Sequence, residues 1–316
     1  MSEEKRYRTA VYVFTGLLDS GKTTAICDVL LSGKVPLEGK TLILRTEEGE
    51  KEYDLEKLKE LEIALFDVDN PSMLDEELLE TLDDVYKPDN VLVELNGMWD
   101  ATTLLNAQLP DGWGFGTVFA IINARTYPMY VANMRQMIMT PVSMADVVLF
   151  NRVDPSLNKG NIRRAIRILN DGADVYFMKP DGSLDHSDDP YEAPEKDGIL
   201  EIDEKEFCSW FIDCIEQTEK YIGKKVRLLG FTAQGKNLPE GQFYFGRMAS
   251  ICCATDARFV GFTAEYKGQV PPPGSWFTVT ATIERRMANE KQAIILLQME
   301  AMTPAPTPED VYLYLS

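Results

Sequence analysis

Residues 10–24 read Ala10-Val11-Tyr12-Val13-Phe14-Thr15-Gly16-Leu17-Leu18-Asp19-Ser20-Gly21-Lys22-Thr23-Thr24. A short apolar run stops at a glycine and restarts, after Gly-Lys-Thr, as the helical stretch Ala25 to Leu31. This is the pattern GxxxxGK[ST] between a strand and a helix, the context that gives it chemical meaning. Gly16 and Gly21 permit a turn that aims successive backbone N–H groups at phosphate oxygens, and the helix N-terminus adds its positive end. Asp19, Ser20 and Thr24 belong to the same loop. Lys22 is placed to neutralise the β and γ phosphates and the Thr23 hydroxyl to reach Mg²⁺. The competing reading is an ordinary strand–helix turn, and Asp19 is unusual in bringing negative charge beside the ligand.

Outward from this loop the chain alternates. Apolar runs at 41–44, 63–68, 91–93, 118–122, 147–150 and 175–177 are separated by helical stretches. Such alternation predicts an α/β domain over residues 1–180, a mostly parallel sheet with helices on both faces. Two of the runs end in candidate site residues. Val91-Leu92-Val93-Glu94 is followed by Leu95-Asn96-Gly97, a Walker-B-like pattern in which the acid holds a Mg²⁺-bound water and the Gly97 N–H senses the γ-phosphate; a strand ending in a solvated glutamate is the alternative. Val147 to Phe150 runs into Asn151-Arg152-Val153-Asp154, an NxxD sequence. An aspartate there accepts two hydrogen bonds from guanine N1 and N2, which adenine cannot offer; the alternative is a plain strand-end turn.

Residues 181–222 form an acidic connector followed by a helix expected to pack on the first domain, with Asp203 and Glu206 as a capping box. Residues 223–316 hold five strand-like runs in under 100 residues, which predicts a small all-β barrel of OB type. Their charge is nearly balanced, ten basic against eight acidic residues.

The whole chain has 316 residues and a net charge of −19. A surface this acidic repels phosphate backbones, so nucleic acid is not an expected partner. With 45% apolar and 26% charged residues the composition is that of a folded globular protein, not a disordered one. No apolar run reaches the 18 to 20 or so residues that cross a membrane, and no secretory signal leads the chain, so a cytoplasmic location is expected. Five scattered cysteines fit a reducing compartment. A single histidine, His186, is read as a solvated loop residue. Adjacent Cys252 and Cys253 point to opposite faces of a regular strand and cannot both ligate one ion without a bulge.

GLLDSGKTT, VELNG and ADVVLFNRVD, in this order, resemble the CobW-like branch of the G3E P-loop GTPases. Thr46-Glu47-Glu48-Gly49-Glu50-Lys51-Glu52-Tyr53-Asp54 is similar to that family's NEFGExxxD switch, with Thr46 and Glu48 as departures; an acidic solvated loop is the competing reading. The resemblance implies a Mg²⁺-dependent, slow GTPase with GTP and Mg²⁺ as ligands, acting in metal homeostasis or metal-cofactor assembly. It implies Glu47 near Mg²⁺ together with Thr23 and Glu94. Lys22, Glu47 and Glu50 are the candidates for catalytic roles. Base recognition falls to Asn151, Arg152 and Asp154, with Arg152 standing where the family carries Lys. The family's CxCC metal motif is missing, since Leu55 to Asp89 contains no cysteine.

Residues 225–300, through Leu229-Gly230-Phe231, Gln242 to Arg247 and Gly274 to Val279, resemble the C-terminal domain (DUF1980) of the YcgQ-type permease-associated family. That implies as partners a membrane permease or a metalloprotein client, with a homodimer as a further expectation. The alternative to an enzyme is a non-hydrolysing adaptor that reports nucleotide state to a permease through its barrel.

Overall fold

The computed structural model describes residues 7–32, 37–99, 101–187, 190–235, 238–250, 257–289 and 292–314. Cys252 and Cys253 lie outside the described residues. The chain divides into two compact units, one of residues 1–157 and 170–187, the other of residues 158–169 and 188–316.

In the first unit seven strands form one parallel sheet: β1 (Thr9–Thr15), β2 (Thr41–Arg45), β3 (Ala64–Asp67), β4 (Asn90–Glu94), β5 (Trp113–Asn123), β6 (Val147–Asn151) and β7 (Asp174–Phe177), in the order β3-β2-β4-β1-β5-β6-β7. All seven expected apolar runs became strands. The helices between them are α1 (Lys22–Ser32), α2 (Leu55–Glu60), α3 (Glu76–Tyr86), α4 (Ala101–Leu105), α5 (Tyr127–Asn133) and α6 (Arg135–Met144).

Side chains alternate across a strand, so a sheet covered on both faces needs apolar residues at every position. Val11 and Val13 of β1 join Leu42, Leu44, Val91 and Val93 in one core. Phe14, Ile43 and Leu92 join Ile26 of α1 and Leu58 of α2 in the other. The same period of two puts Glu94, at the end of β4, on the face of Leu92, the face that carries α1.

The helix that follows β6, α7 (Lys159–Leu169), clusters with the second unit. That unit continues with a hairpin of β8 (Glu195–Lys196) and β9 (Ile199–Ile202), then α8 (Phe207–Glu216) and α9 (Thr218–Tyr221). The Asp203 carboxylate accepts from the Glu206 N–H at 2.9 Å, but α8 begins only at Phe207 with Glu206 as its N-cap and no side-chain cap bond, so the expected capping box does not form. The expected single helix is thus two, and α8 packs on α7 and on the barrel. The compact units exchange residues 158–169 around the expected boundary at residue 180, and the stretch expected to be a solvated connector contributes two strands.

The barrel is built from β10 (Lys225–Ala233), β11 (Gln242–Ser250), β12 (Arg258–Glu265), β13 (Trp276–Asn289) and β14 (Gln292–Pro304), with β15 (Tyr312–Tyr314) on the edge of β11. β10, β11 and β12 form a meander, β12 pairs with β14 in parallel, β14 with β13, and β13 with β10. The ring β10-β11-β12-β14-β13-β10 is the closed five-stranded arrangement of the OB type. β10 pairs with β9 over Lys225–Leu228 and with β11 over Phe231–Ala233, so its two halves face different neighbours. Trp210 of α8 is wholly buried and meets Phe262 edge-on, with ring centroids 5.6 Å apart.

Candidate functional site

The loop after β1 folds as its glycines require. Gly16 has φ +148°, and a Cβ there would lie 2.2 Å from the Ile121 carbonyl oxygen. Ser20 donates its N–H to Leu17 O at 3.0 Å, and α1 opens with Ala25 donating to Gly21 O at 2.9 Å. The Lys22 ammonium, nearly inaccessible, donates to Gly16 O at 2.7 Å and Leu17 O at 3.0 Å. It also pairs with the Glu47 carboxylate. A carboxylate thus stands against the cation that a phosphate would otherwise engage.

The Thr23 hydroxyl donates to Glu94 Oε1 at 2.6 Å. Tyr53 donates its phenolic O–H to Glu94 Oε2, also at 2.6 Å. Burial, first, and then the Glu94 charge push the Tyr53 phenol well above its ordinary pKa, so it remains an O–H donor. Glu94 is 3% exposed, and a carboxylate so deep is held by charge-assisted bonds. The Thr46 hydroxyl donates to Glu94 O at 2.9 Å and accepts from the Asn96 N–H at 2.6 Å, stitching the loop after β2 to the loop after β4. Thr46 thus does structural work at the position where it departs from the switch pattern. Gly97 comes against the phosphate loop so closely that a Cβ would sit 2.3 Å from Gly16 O.

A cavity of about 140 Å³ lies between these groups. Gly21, Lys22, Thr23, Thr24, Glu47, Glu50, Glu94 and Arg152 all line it, as does Asp19. Asp19 turns its carboxylate to the switch segment, where Oδ1 accepts from the Glu50 N–H at 3.3 Å. The Ser20 hydroxyl is buried and without a hydrogen-bond partner, an orphan that calls for a ligand atom or water.

From the other side of the sheet's first crossover, Asn151 donates through Nδ2 to Ser20 O at 2.7 Å. Arg152 adopts a left-handed φ of +53°, a conformation that costs a non-glycine residue about 1 kcal/mol or more. Its Nη1 donates to Asp19 O at 3.0 Å. Arg152 borders a second cavity of about 300 Å³, lined also by Arg125, Val153, Asp154, Lys179 and Asp185. Asp154 is exposed there. Its Oδ1 accepts from the N–H and the hydroxyl of Ser156, at 2.9 and 2.7 Å, and these bonds hold its carboxyl below the usual range. The two cavities share one wall, Arg152. Of the residues expected at the site, Gly16, Ser20, Gly97 and Asn151 line neither cavity; Ser20 and Asn151 meet each other through the Asn151–Ser20 bond and Gly97 abuts Gly16.

A model of the CobW/HypB/UreG nucleotide-binding domain matches residues 10–177. The chain belongs to the CobW/HypB/UreG family. A second model, the DUF1980 C-terminal domain, matches residues 183–315. No curated protein is similar enough in sequence to match the chain. Among solved structures, the hydrogenase maturation factor HypB from Archaeoglobus fulgidus is similar at 14% identity and TM-score 0.42, over 56% of this chain and 84% of that one. The Zn(II)-bound YjiA GTPase from E. coli is similar at 14% identity and TM-score 0.42, over 96% of this chain and 91% of that one. The CobW/HypB/UreG domain here is a parallel-sheet nucleotide-binding fold whose phosphate loop, Lys22 and Glu94 converge on one cavity.

The donors around that cavity are hard oxygens: the Thr23 hydroxyl and the Glu94 and Glu47 carboxylates. Such a set suits Mg²⁺ and not a soft metal. Among the described residues no three His, Cys, Asp or Glu side chains group closely enough to hold a metal ion by themselves. Two features escaped the sequence reading. Tyr53 lies in a strongly acidic stretch and reads as part of a solvated loop, although an aromatic residue there is itself a sign of burial. The pairing of Lys22 with Glu47 has no sequence signal, because it joins two loops through a single contact.

Proposed function

We propose that the first unit binds a guanine nucleotide with Mg²⁺ and hydrolyses GTP slowly, in a role tied to metal homeostasis or metal-cofactor assembly. One observation carries this reading: Lys22 and the Thr23–Glu94 pair meet in one cavity whose wall, Arg152, also bounds the cavity holding Asp154. A triphosphate laid along this path meets loop N–H groups and the Lys22 ammonium at its phosphates, and the Asp154 carboxylate at its base. Thr23 donates its proton to Glu94, which leaves the Thr23 lone pairs available to a cation. Thr23 and Glu94, with Glu47, would hold Mg²⁺, which neutralises charge on the β and γ phosphates.

Glu47 must leave Lys22 for a phosphate to take its place. The part of the switch segment around Glu47, between the anchored Thr46 and Tyr53, would then take two positions, one closed on the lysine and one displaced by nucleotide. Glu50 and the displaced Glu47, both lining the cavity, are the candidates to orient water. Arg152 is the arginine lining this cavity among the described residues, and it is held to Asp19 O. With Arg152 held in place, turnover stays slow unless Lys51, which also lines the cavity, or a partner brings a cation to the transferring phosphate. GTP hydrolysis measured for the natural chain and for Lys22→Ala tests the reading. Equal rates in the two would end it.

A second reading, which rests on the resemblance of the barrel to the permease-associated family, has the barrel engage a permease or a metalloprotein client while GTP sets conformation without turnover. Phe231, Tyr244, Phe259 and Trp276 form a connected aromatic band on the barrel, with centroids 5.2 to 6.3 Å apart. Tight GTP binding without phosphate release would select this reading over the first. A homodimer is compatible with either and is tested by light scattering with and without GTP.

A further inference from the structure

We propose that Tyr53 is a positioning residue for the divalent cation: its phenol fixes the Glu94 carboxylate in the orientation that lets Glu94 and Thr23 act on Mg²⁺ together. The inference rests on the nucleotide reading above and adds to it a residue that the phosphate-loop, Walker-B and NxxD patterns do not contain.

Three observations converge on it. Glu94 Oε1 accepts from Thr23 and Oε2 from Tyr53, each at 2.6 Å, so both oxygens of a buried carboxylate are held by hydroxyl groups. A carboxylate bound at one oxygen can turn about its last torsion; bound at both, it cannot. The Tyr53 ring is itself fixed. It is 6% exposed and packs in the core with Phe14, Ile26, Leu58 and Leu92. The next residue, Asp54, caps α2 by accepting from the Lys57 N–H at 3.1 Å, which anchors the backbone on the other side. The phenol therefore projects from a rigid core and from the end of the switch segment, not from its moving part. Glu47 can swing away from Lys22 while Tyr53 keeps Glu94 in place.

A group that only filled the core would affect folding and leave cation dependence alone. A positioning group does the reverse. Tyr53→Phe keeps the ring and deletes the hydroxyl, and Tyr53→Leu keeps apolar volume of a different shape. For each full-length protein, the affinity for a non-hydrolysable GTP analogue is measured in Mg²⁺ and again in EDTA, and thermal unfolding is recorded alongside. In EDTA both variants are expected to bind within about twofold of the natural chain. The tightening that Mg²⁺ produces is expected to fall about five- to tenfold in both, and the Mg²⁺ concentration at half-effect to rise by a similar factor.

An unchanged Mg²⁺ effect in Tyr53→Phe would overturn the proposal, and so would an equal loss in EDTA and in Mg²⁺. If Tyr53→Phe does not fold, a normal Mg²⁺ effect in Tyr53→Leu overturns it equally. A natural chain that binds the analogue with no response to Mg²⁺ would overturn the nucleotide reading as well as this inference. A normal response in the natural chain with none lost in the variants would sink the inference alone.

Discussion

Replacing Lys22 with Met keeps an unbranched side chain of similar length and removes only the charge. The ammonium is 3% exposed, bonded to two loop carbonyls at 2.7 and 3.0 Å and paired with Glu47. One pair of unit charges 4 Å apart is worth about 4 kcal/mol at an effective dielectric of about 20. Lys22 does not gain that full amount on binding nucleotide, because it gives up Glu47 for a phosphate and exchanges one anion for another. A net contribution of about 2–3 kcal/mol follows, equivalent to about 30- to 150-fold in affinity. The expected result for Lys22→Met is therefore a loss of GTP affinity in that range, read by calorimetry in Mg²⁺. Stability moves less. Glu47 loses its partner at a cost of about 1–3 kcal/mol if it stays buried, and it lies near enough to the surface to turn outward instead. A folded Lys22→Met protein that binds GTP within threefold of the natural chain would refute the reasoning, since the lysine would then face no phosphate.

Gly16→Ala places a Cβ 2.2 Å from the Ile121 carbonyl oxygen at φ +148°, so the loop must shift; nucleotide affinity and thermal midpoint should both fall, and calorimetry beside a melting curve checks it. Trp210→Ala should cost about 3–5 kcal/mol in the second unit, as deletion of a wholly buried Trp does. Trp210→Phe should cost clearly less, because the Trp210 indole N–H has no partner to lose; urea titrations followed by circular dichroism separate the two. Burial pushes the Cys208 and Cys214 thiols up to about 12 and raises Cys27 as well. A raised thiol pKa means little thiolate at pH 7–8. Alkylation of these three should therefore be slow in the folded protein and rapid once urea is added, as peptide mass spectrometry will show.

Much of this architecture was legible because sheet residues obey simple periods. Seven apolar runs became the seven parallel strands, and five more became the barrel, since each run had to be buried on at least one face. The loop glycines were legible for the same reason: at Gly16 a side chain has nowhere to go. What stayed hidden depends on tertiary choice. α7 reads as one more helix of the alternation, yet it clusters with the barrel unit, and nothing in its own sequence names its partner. The hairpin of β8 and β9 is short and set among acidic residues, so its pairing with β10 overrides a local composition that favours a loop. At the site, Lys22, Thr23, Glu94 and Asp154 were visible because each belongs to a local pattern. Tyr53 and Thr46 were not, because each meets Glu94 across more than forty positions of chain through one hydroxyl.

What the two adjoining cavities hold decides whether this chain is a guanine-nucleotide protein. Calorimetric titration of the full chain with GTP, GDP and ATP in Mg²⁺ tests it most directly. GTP and GDP should bind, with affinities that weaken in EDTA, and ATP should bind at least tenfold more weakly because Asp154 finds no pair of donors on adenine. Equal affinity for ATP and GTP, or heat of binding from none of the three, would contradict it.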